Sequence, residues 1–391
     1  MRPFLRTANI LWGKIDVSVL DYMHFEETEE QKLTLQYGDL LVCEGGDIGR
    51  TAIWRDQIKP CYYQNHLHRL RSTLPDIIPI FYMYWMELAF TISRLYGGVG
   101  NKTTIPNLSQ SRLSSFYIPL PPLSEQKAIA AVLSAIQEAK EKTEAVISAT
   151  KELKKSMMKH LFTYGPVSPK EKDKVELKQT ELGPLPKEWE VVRLGDIFSI
   201  QQGKSVSPKS RFGLRMRPFL RTANILWGKI DVSVLDYMHF EETEEQKLTL
   251  QYGDLLVCEG GDIGRTAIWR DQIKPCYYQN HLHRLRSTRP DIVPIFYMYW
   301  MELAFTISRL YGGVGNKTTI PNLSQSRLLS FYIPLPPLPI QQKIASILSA
   351  IDAKIEAEVN KKKALEALFK SMLHHLMTGK VRVKDWRLGD L

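Results

Sequence analysis

YIPLPPLSEQKAIAAVL, residues 117–133, returns as YIPLPPLPIQQKIASIL at residues 332–348. Each stretch opens extended and proline-bound and closes on apolar residues at helical spacing, so it marks where a globular domain runs into a helix. Upstream of this point, residues 1–123 match 216–338 with three differences: Leu74 against Arg289, Ile78 against Val293 and Ser114 against Leu329. An offset of 215 residues far exceeds the roughly 20–50 residues of a solenoid repeat, so a whole domain is duplicated.

Downstream, identity fades while the pattern persists. Ile129, Leu133, Ile136, Ile147, Leu153, Met157 and Leu161 fall at spacings of three, four and their sums, as do Ile344, Leu348, Ile351, Ile355, Val359, Leu365, Phe369, Met372 and Leu376. Such seams predict long helices over 124–164 and 339–379, each packed on another helix. Forty residues of helix span ~60 Å. Ser124 is the expected N-cap, and Gly165 and Gly379 follow the last apolar turns. Residues 165–188, rich in Pro, Gly and charge, read as an exposed linker. The predicted order is domain 1–123, helix, linker, domain 189–338, helix, and a tail from 380 to 391.

Within each copy, YGDLLVCEGGDIGRTAIW, YYQNHLHRLRS and SSFYIPLPPL read as strands, and residues 81–98 as one buried helix closed by Gly97. The fold class is α+β, two domains with mostly antiparallel sheets separated by two long antiparallel helices.

A hydrophobic content of 44% and a charged content of 24% are those of a globular protein. No apolar run reaches the ~18–20 residues of a membrane span and no signal peptide is evident, so a cytoplasmic location without membrane contact is expected. Cys43, Cys61, Cys258 and Cys276 form no CxxC, and read as small buried hydrophobes. A net charge of +10 and a pI near 9.2 suit a polyanionic partner, nucleic acid first among them.

RPFLRTANI at 2–10 and 217–225, YGDLLVCEGGDIGR at 37–50 and 252–265, QNHLHRLRS at 64–72 and 279–287, the leader WEVVRLGDIF at 189–198 and the paired YIPLPPL segments occur in the same order twice. In this the chain resembles the specificity subunit of type I restriction-modification systems, over nearly its whole length. The resemblance implies two target-recognition domains, each reading half of a split double-stranded DNA sequence, with two long helices packed antiparallel between them. It implies docking of two modification methyltransferase subunits and of restriction motor-nuclease subunits. S-adenosylmethionine, ATP and Mg belong to those partners, and this chain is expected to hold no cofactor and to catalyse nothing. Consistent with that, the sequence has no [DNS]-P-P-[YFW], FxGxG or GxxxxGK[ST] motif.

The residues offer several DNA contacts. In YGGVGNKTTIPNLSQSR, residues 96–112 and 311–327, glycines permit close backbone approach, and Asn101, Lys102, Thr103, Thr104 and Arg112, with Asn316, Lys317, Thr318, Thr319 and Arg327, can meet phosphates or base edges. GGDIGR reads as a tight hairpin turn presenting Arg50, and Arg265 in the second copy, to DNA. Residues 62–69 alternate like a strand, with Gln64, His66 and His68 on one face and Asn65 and Arg69 on the other. Gln64, Asn65 and His66, and likewise Gln279, Asn280 and His281, are candidate base or phosphate contacts. No carboxylate or cysteine is evident beside the histidines, so no metal is expected. Residues 201–215 read as a mobile basic loop that lays Lys204, Lys209 and Arg211 on phosphates, and Arg289 is a further candidate. Met157, Met158, Leu373 and Leu376 are candidate exposed contacts for partner helices.

If the two helices run antiparallel, two near-identical readers imply an inverted-repeat target. A degenerate or silent specificity protein and a non-DNA coiled-coil adaptor are the alternatives. Arg387–Leu391, RLGDL, repeats Arg193–Ile197, RLGDI. The tail 384–391 is therefore expected to supply the first domain's absent leader, as in a circular permutation, but with no counterpart of residues 198–215.

Overall fold

The glycines of residues 45–49 close a hairpin, and each copy of the domain is built around it. In the computed structural model, which describes residues 1–95, 107–310 and 322–383, strands Leu40–Cys43 and Thr51–Ile53 pair antiparallel with Leu40 opposite Ile53. Gly49 takes a φ of +79°, a left-handed conformation that costs glycine little. A Cβ there would also lie 2.5 Å from the Phe90 ring. Leu67–Leu70 adds a third antiparallel strand beside Leu40–Cys43. In a second sheet, Arg2–Leu5 lies between Asp21–Met23, antiparallel, and Tyr62–Tyr63, parallel. The sheets are thus mostly antiparallel, as the sequence predicts.

The chain divides into two compact units, Met1–Ala145 with Glu358–Leu391, and Val146–Ala357. The long helices span Leu123–Tyr164 and Leu338–Met377, and each gives a part to each unit. In the first unit, Ile129 and Leu133 share a core with Phe369, Leu373 and Leu376 and with Phe81 and Tyr84 of the helix Pro79–Glu87. Ion pairs of 2.8 Å between Lys362 and Glu144 and 2.7 Å between Arg382 and Glu125 show that the two helix segments run antiparallel there. In the second unit, Met158, Leu161 and Phe162 pack with Ile344, Leu348, Phe296 and Trp300.

Several local expectations are corrected. Ser124 does not cap the first helix, which starts one residue earlier; the amides of Glu125 and Gln126 donate to the Pro122 carbonyl at 2.9 and 3.0 Å. The side chain of Gln126 does more at this end than any cap. It is fully buried, accepts from the Ile78 amide at 2.9 Å and donates to the Asp76 and Pro121 carbonyls at 3.0 and 2.9 Å. Gln341 repeats the arrangement with Val293, Asp291 and Pro336. The helix expected over 81–98 is α-helical only to Glu87 and continues as a π turn over Leu88–Ile92.

Residues 165–188 are not simply a linker. Leu177–Thr180 and Gly183–Pro186 form a hairpin, because Leu182 and Leu185 are buried against Met158, Leu161 and Phe162. Met158 is core of the second unit and Leu373 and Leu376 are core of the first, at most 2% exposed, and Met157 packs against the second unit's core. The apolar seam continues to the helix ends, so these residues do not face a partner.

The two copies differ where the leader falls. In the second, Glu190–Arg193 pairs antiparallel with Tyr332–Leu335, and Phe198–Gln202 pairs with Leu282–Ser287, giving a four-stranded sheet where the first copy has three strands among the described residues. Among the described residues no strand pairs with Tyr117–Leu120, which is not itself a strand. One of the three substitutions follows this difference: Leu329 packs on Gly195, whereas the Ser114 hydroxyl donates to the Gln110 carbonyl of its own helix. Asn101, Lys102, Thr103, Thr104, Asn316, Lys317, Thr318, Thr319 and the tail 384–391 lie outside the described residues. Among the described residues, no helix is long and apolar enough to cross a membrane.

Candidate nucleic-acid interface

In the first unit, three segments converge on Glu44. Its amide donates to the His66 carbonyl at 3.0 Å and its carbonyl accepts from the Leu108 amide at 2.7 Å, while Gly45 bridges Asn107. His68 Nε2 lies 2.6 Å from the Leu108 carbonyl. The hairpin turn, the turn at Gln64–His66 and the start of the 107–112 segment are therefore held together by backbone. Arg112 sits on the short helix Gln110–Ser114, capped by the Ser109 hydroxyl accepting from its amide at 3.3 Å.

The alternating strand expected over 62–69 is interrupted. Gln64–His66 form a turn between Tyr62–Tyr63 and Leu67–Leu70, which leaves Asn65 and His66 exposed and Gln64 half-buried. The sequence gives no sign of Glu44 beside them, yet its carboxylate lies 3.5 Å from His66 Nδ1. Pairing of the non-consecutive strands Leu40–Cys43 and Leu67–Leu70 brings residues 22 apart in sequence into contact, which a linear pattern does not reveal. Two such groups fall short of a metal site, and no cluster of three His, Cys, Asp or Glu occurs among the described residues.

The second unit repeats the rim with its own leader laid over it. Glu259 bonds His281 and Leu323 as Glu44 bonds their counterparts, and its carboxylate lies 3.6 Å from His281. Gln202 Nε2 donates to the Asn280 carbonyl at 2.9 Å. Gly203 passes so close to Gln279 that a Cβ would lie 2.3 Å from its carbonyl oxygen. Gln279 is consequently buried, Asn280 half-buried and His281 exposed. Burial lowers the His283 pKa below its usual value, so its neutral ring donates from Nε2 to the Leu323 carbonyl.

Arg50 does not face outward. Its guanidinium donates to the Thr7 carbonyl at 2.8 Å and to Asp47 at 3.0 Å, tying the hairpin to the segment that follows Arg2–Leu5 of the second sheet. Arg265 does the same with Thr222 and Asp262. Residues 201–215 are likewise anchored rather than loose. Lys204 is ion-paired to Glu244 with its ammonium 5.2 Å from the Phe240 ring centre, and Arg215 meets Glu245 at 2.9 Å. Arg211 is exposed, and the Lys209 side chain lies outside the description. Arg289 donates to Asp291 at 2.9 Å. The four cysteines are buried and unpaired; burial pushes the Cys61 thiol up to about 11 and the Cys276 thiol up to about 12, so they serve packing rather than chemistry.

The rim thus offers amide, imidazole and carboxylate groups on a rigid hairpin base, the kind of set that reads base edges. The family model described as type I restriction modification DNA specificity domain matches residues 2–152 and 186–367. The chain belongs to this family. The type I restriction enzyme MjaVIII specificity subunit of Methanocaldococcus jannaschii is 30% identical over 324 residues, 81% of this chain and 72% of that protein. The MjaIX specificity subunit of the same organism is 25% identical over 89% of this chain and 78% of its own. The crystal structure of the type I restriction-modification S subunit from M. genitalium superimposes with a TM-score of 0.60 at 17% identity, covering 96% of this chain and 92% of that one. The specificity-subunit fold therefore extends over both units, and the duplicated rim belongs to a DNA specificity domain in each.

Proposed function

We propose that this specificity subunit reads an inverted-repeat DNA target, one short half-site and its reverse complement about a fixed spacer, and that it scaffolds modification and restriction subunits on that site. The observation that carries the reading is the near identity of residues 1–123 and 216–338. Leu74, Ile78 and Ser114 all lie outside the segments 44–50, 64–68 and 107–112 that build the rim. Two copies of one reader recognise two copies of one half-site. Each reader precedes its own long helix, and the antiparallel run of those helices in the first unit favours the inverted over the direct arrangement. Asn65, His66 and Glu44, with Asn280, His281 and Glu259, are the base-reading groups, a carboxylate being suited to the amine of cytosine. Arg112, Arg327 and the segments 96–106 and 311–321 supply phosphate and further base contacts.

Sequencing the methylated or selected sites of the reconstituted complex tests this. Two palindromically related half-sites are expected; two unrelated half-sites would overturn it. The same reading assigns Lys384–Leu391 to the first domain as its leader. Val383, which aligns with Trp189 by the RLGD register, supports this: it is 4% exposed in the core that holds Leu373 and Leu376, as Trp189 is 3% exposed beside Met158 and Leu161.

A further inference from the structure

We infer that Arg94, and Arg309 in the second unit, each grip a DNA phosphate beside the rim, from positions outside the segments that build it. The inference rests on the reading of this chain as a DNA-binding subunit.

The two arginines stand where the π turns end. In the first unit the helix Pro79–Glu87 continues as the π turn Leu88–Ile92. The turn is closed by the Ser93 amide donating to the Leu88 carbonyl and the Leu95 amide donating to the Ala89 carbonyl, both at 2.9 Å. Arg94, between those two amides, is thereby held at a φ of +47°. A residue with a Cβ is disfavoured in this left-handed region, and a helix that ends this way usually places glycine there. An arginine in that place carries a backbone cost that its own packing does not offset, because the residue is exposed. Arg309 repeats the arrangement: its φ is +49°, Ser308 and Leu310 donate to Leu303 and Ala304 at 2.9 Å, and it too is exposed. Residues held in sparsely populated backbone conformations concentrate where a ligand is met.

The π turn is fixed to the rim. Phe90 lies so close to the hairpin turn that a Cβ on Gly49 would come within 2.5 Å of its ring. With Ile48 and Phe116 it covers a small core of Val42, Met86, Leu108 and Leu113. The hydrogen bond from Leu95 to Ala89 joins the residue after Arg94 to the residue before Phe90, so the backbones of Arg94 and Phe90 stand together. Leu113, the neighbour of Arg112, belongs to the same core, which therefore roots both arginines and the hairpin. In the second unit Phe305 makes the same approach to Gly264.

A guanidinium presents a planar fork of donors that suits phosphate oxygens. Arg50 and Arg265, on the hairpin turns themselves, give theirs to the Thr7 and Thr222 carbonyls. Among the described residues, no carboxylate or carbonyl accepts from the guanidinium of Arg94 or Arg309. A cation on a fixed backbone beside base-reading groups is placed to set the register of the duplex, which is what phosphate contacts do.

Phosphate contacts carry no sequence information, so the probe is a labelled duplex of mixed sequence, titrated with the full chain by fluorescence anisotropy at about 50 to 200 mM salt. Arg94→Gly and Arg309→Gly remove the guanidinium and ease the backbone, since glycine takes a positive φ readily. Each should reduce the slope of log affinity against log salt by about 0.9, and the two together by about 1.8. Arg94→Lys with Arg309→Lys should keep the slope. Arg55→Gln with Arg270→Gln, which removes two exposed arginines from outside the rim, should leave it unchanged. Hydrogen exchange at residues 79–92 should be no faster in the glycine variants. An unchanged slope in those variants overturns the inference while a steep wild-type slope upholds the DNA reading; a wild-type slope near zero overturns both. A fall matched by the Arg55 and Arg270 variants, or accompanied by faster exchange at residues 79–92, also overturns the inference, because net charge or folding rather than a contact is then what was lost.

Discussion

Lys154 lies 2.9 Å from both Glu302 and Asp352 in the second unit, whereas the residues at the same offset in the first unit are Phe369, Glu87 and Gln137. The domain and its buried glutamate recur in both copies, but the helices differ, and where one has Lys154 the other has Phe369. Glu87 is left in apolar surroundings, with Lys140 only partly offsetting its burial, and its carboxyl is pushed up to about 7.

The first unit should therefore lose stability as pH rises. Glu87 binds its proton more tightly folded than unfolded, so no penalty exists below about 4.5, the ordinary glutamate value; it grows through the window up to about 7 and is complete above it. A shift of this size corresponds to at most about 3 kcal/mol. Glu87→Gln should remove the dependence and stabilise the first unit at pH 8, read by hydrogen exchange at residues 79–92 against the matching peptides of the second unit.

The second unit should respond in the opposite sense to losing its cation. Lys154→Met removes the charge that faces Glu302 and Asp352 and leaves a carboxylate whose pKa burial already raises. Breaking a buried pair on one side typically costs ~3–5 kcal/mol. Denaturant unfolding monitored at the Trp300 region should show this loss at pH 8, and the double variant Lys154→Met with Glu302→Gln should recover much of it.

What the sequence discloses of this molecule follows from how far apart its partners lie. The duplication, both long helices and the 45–49 hairpin rest on spacings of a few residues or on a direct repeat, and all can be read off the chain. Residues 201–215 read as a loose basic loop because Gln201 and Gln202 find their strand partners only at Arg284 and His283, and because Lys204 finds Glu244 only once the sheet is formed. Arg50 looks like a free cation at a turn until the fold brings the Thr7 carbonyl, 43 residues away, against it. Met158 and Leu373 look like spare apolar residues because a helix seam does not tell which of its turns a domain will cover. Of the candidate site, residue types and the turn were legible; the pairing of His66 with Glu44 was not.

Arg50 and Arg265 should accordingly behave as structural residues. Arg50→Ala removes a hydrogen bond to a carbonyl and a tie between the hairpin and the segment that follows Arg2–Leu5, at a cost of ~1–3 kcal/mol. The slope of log affinity for DNA against log salt should stay the same, whereas loss of one phosphate contact would reduce it by about 0.9. A filter-binding series between 50 and 200 mM salt, run beside Arg112→Ala, distinguishes the two roles.

Deleting Lys384–Leu391 tests the proposal that the tail serves as the first domain's leader. By the RLGD register, Trp386 and Arg387 align with Val192 and Arg193, which pair with Ile333 and Tyr332, so if the tail is the first domain's leader it pairs with Ile118 and Tyr117. Asp390 aligns with Asp196, whose carboxylate accepts from the Arg193 amide at 2.9 Å, and Leu388 and Leu391 align with the fully buried Leu194 and Ile197. Burying two leucines contributes ~3–6 kcal/mol before ordering costs are subtracted. Truncation after Val383 should speed hydrogen exchange at residues 113–123 while leaving residues 328–338 unchanged. Asp390→Ala should produce a smaller effect at the same residues. Equal exchange in the truncated and full chains would mean that the repeated RLGDL does not occupy the leader's place.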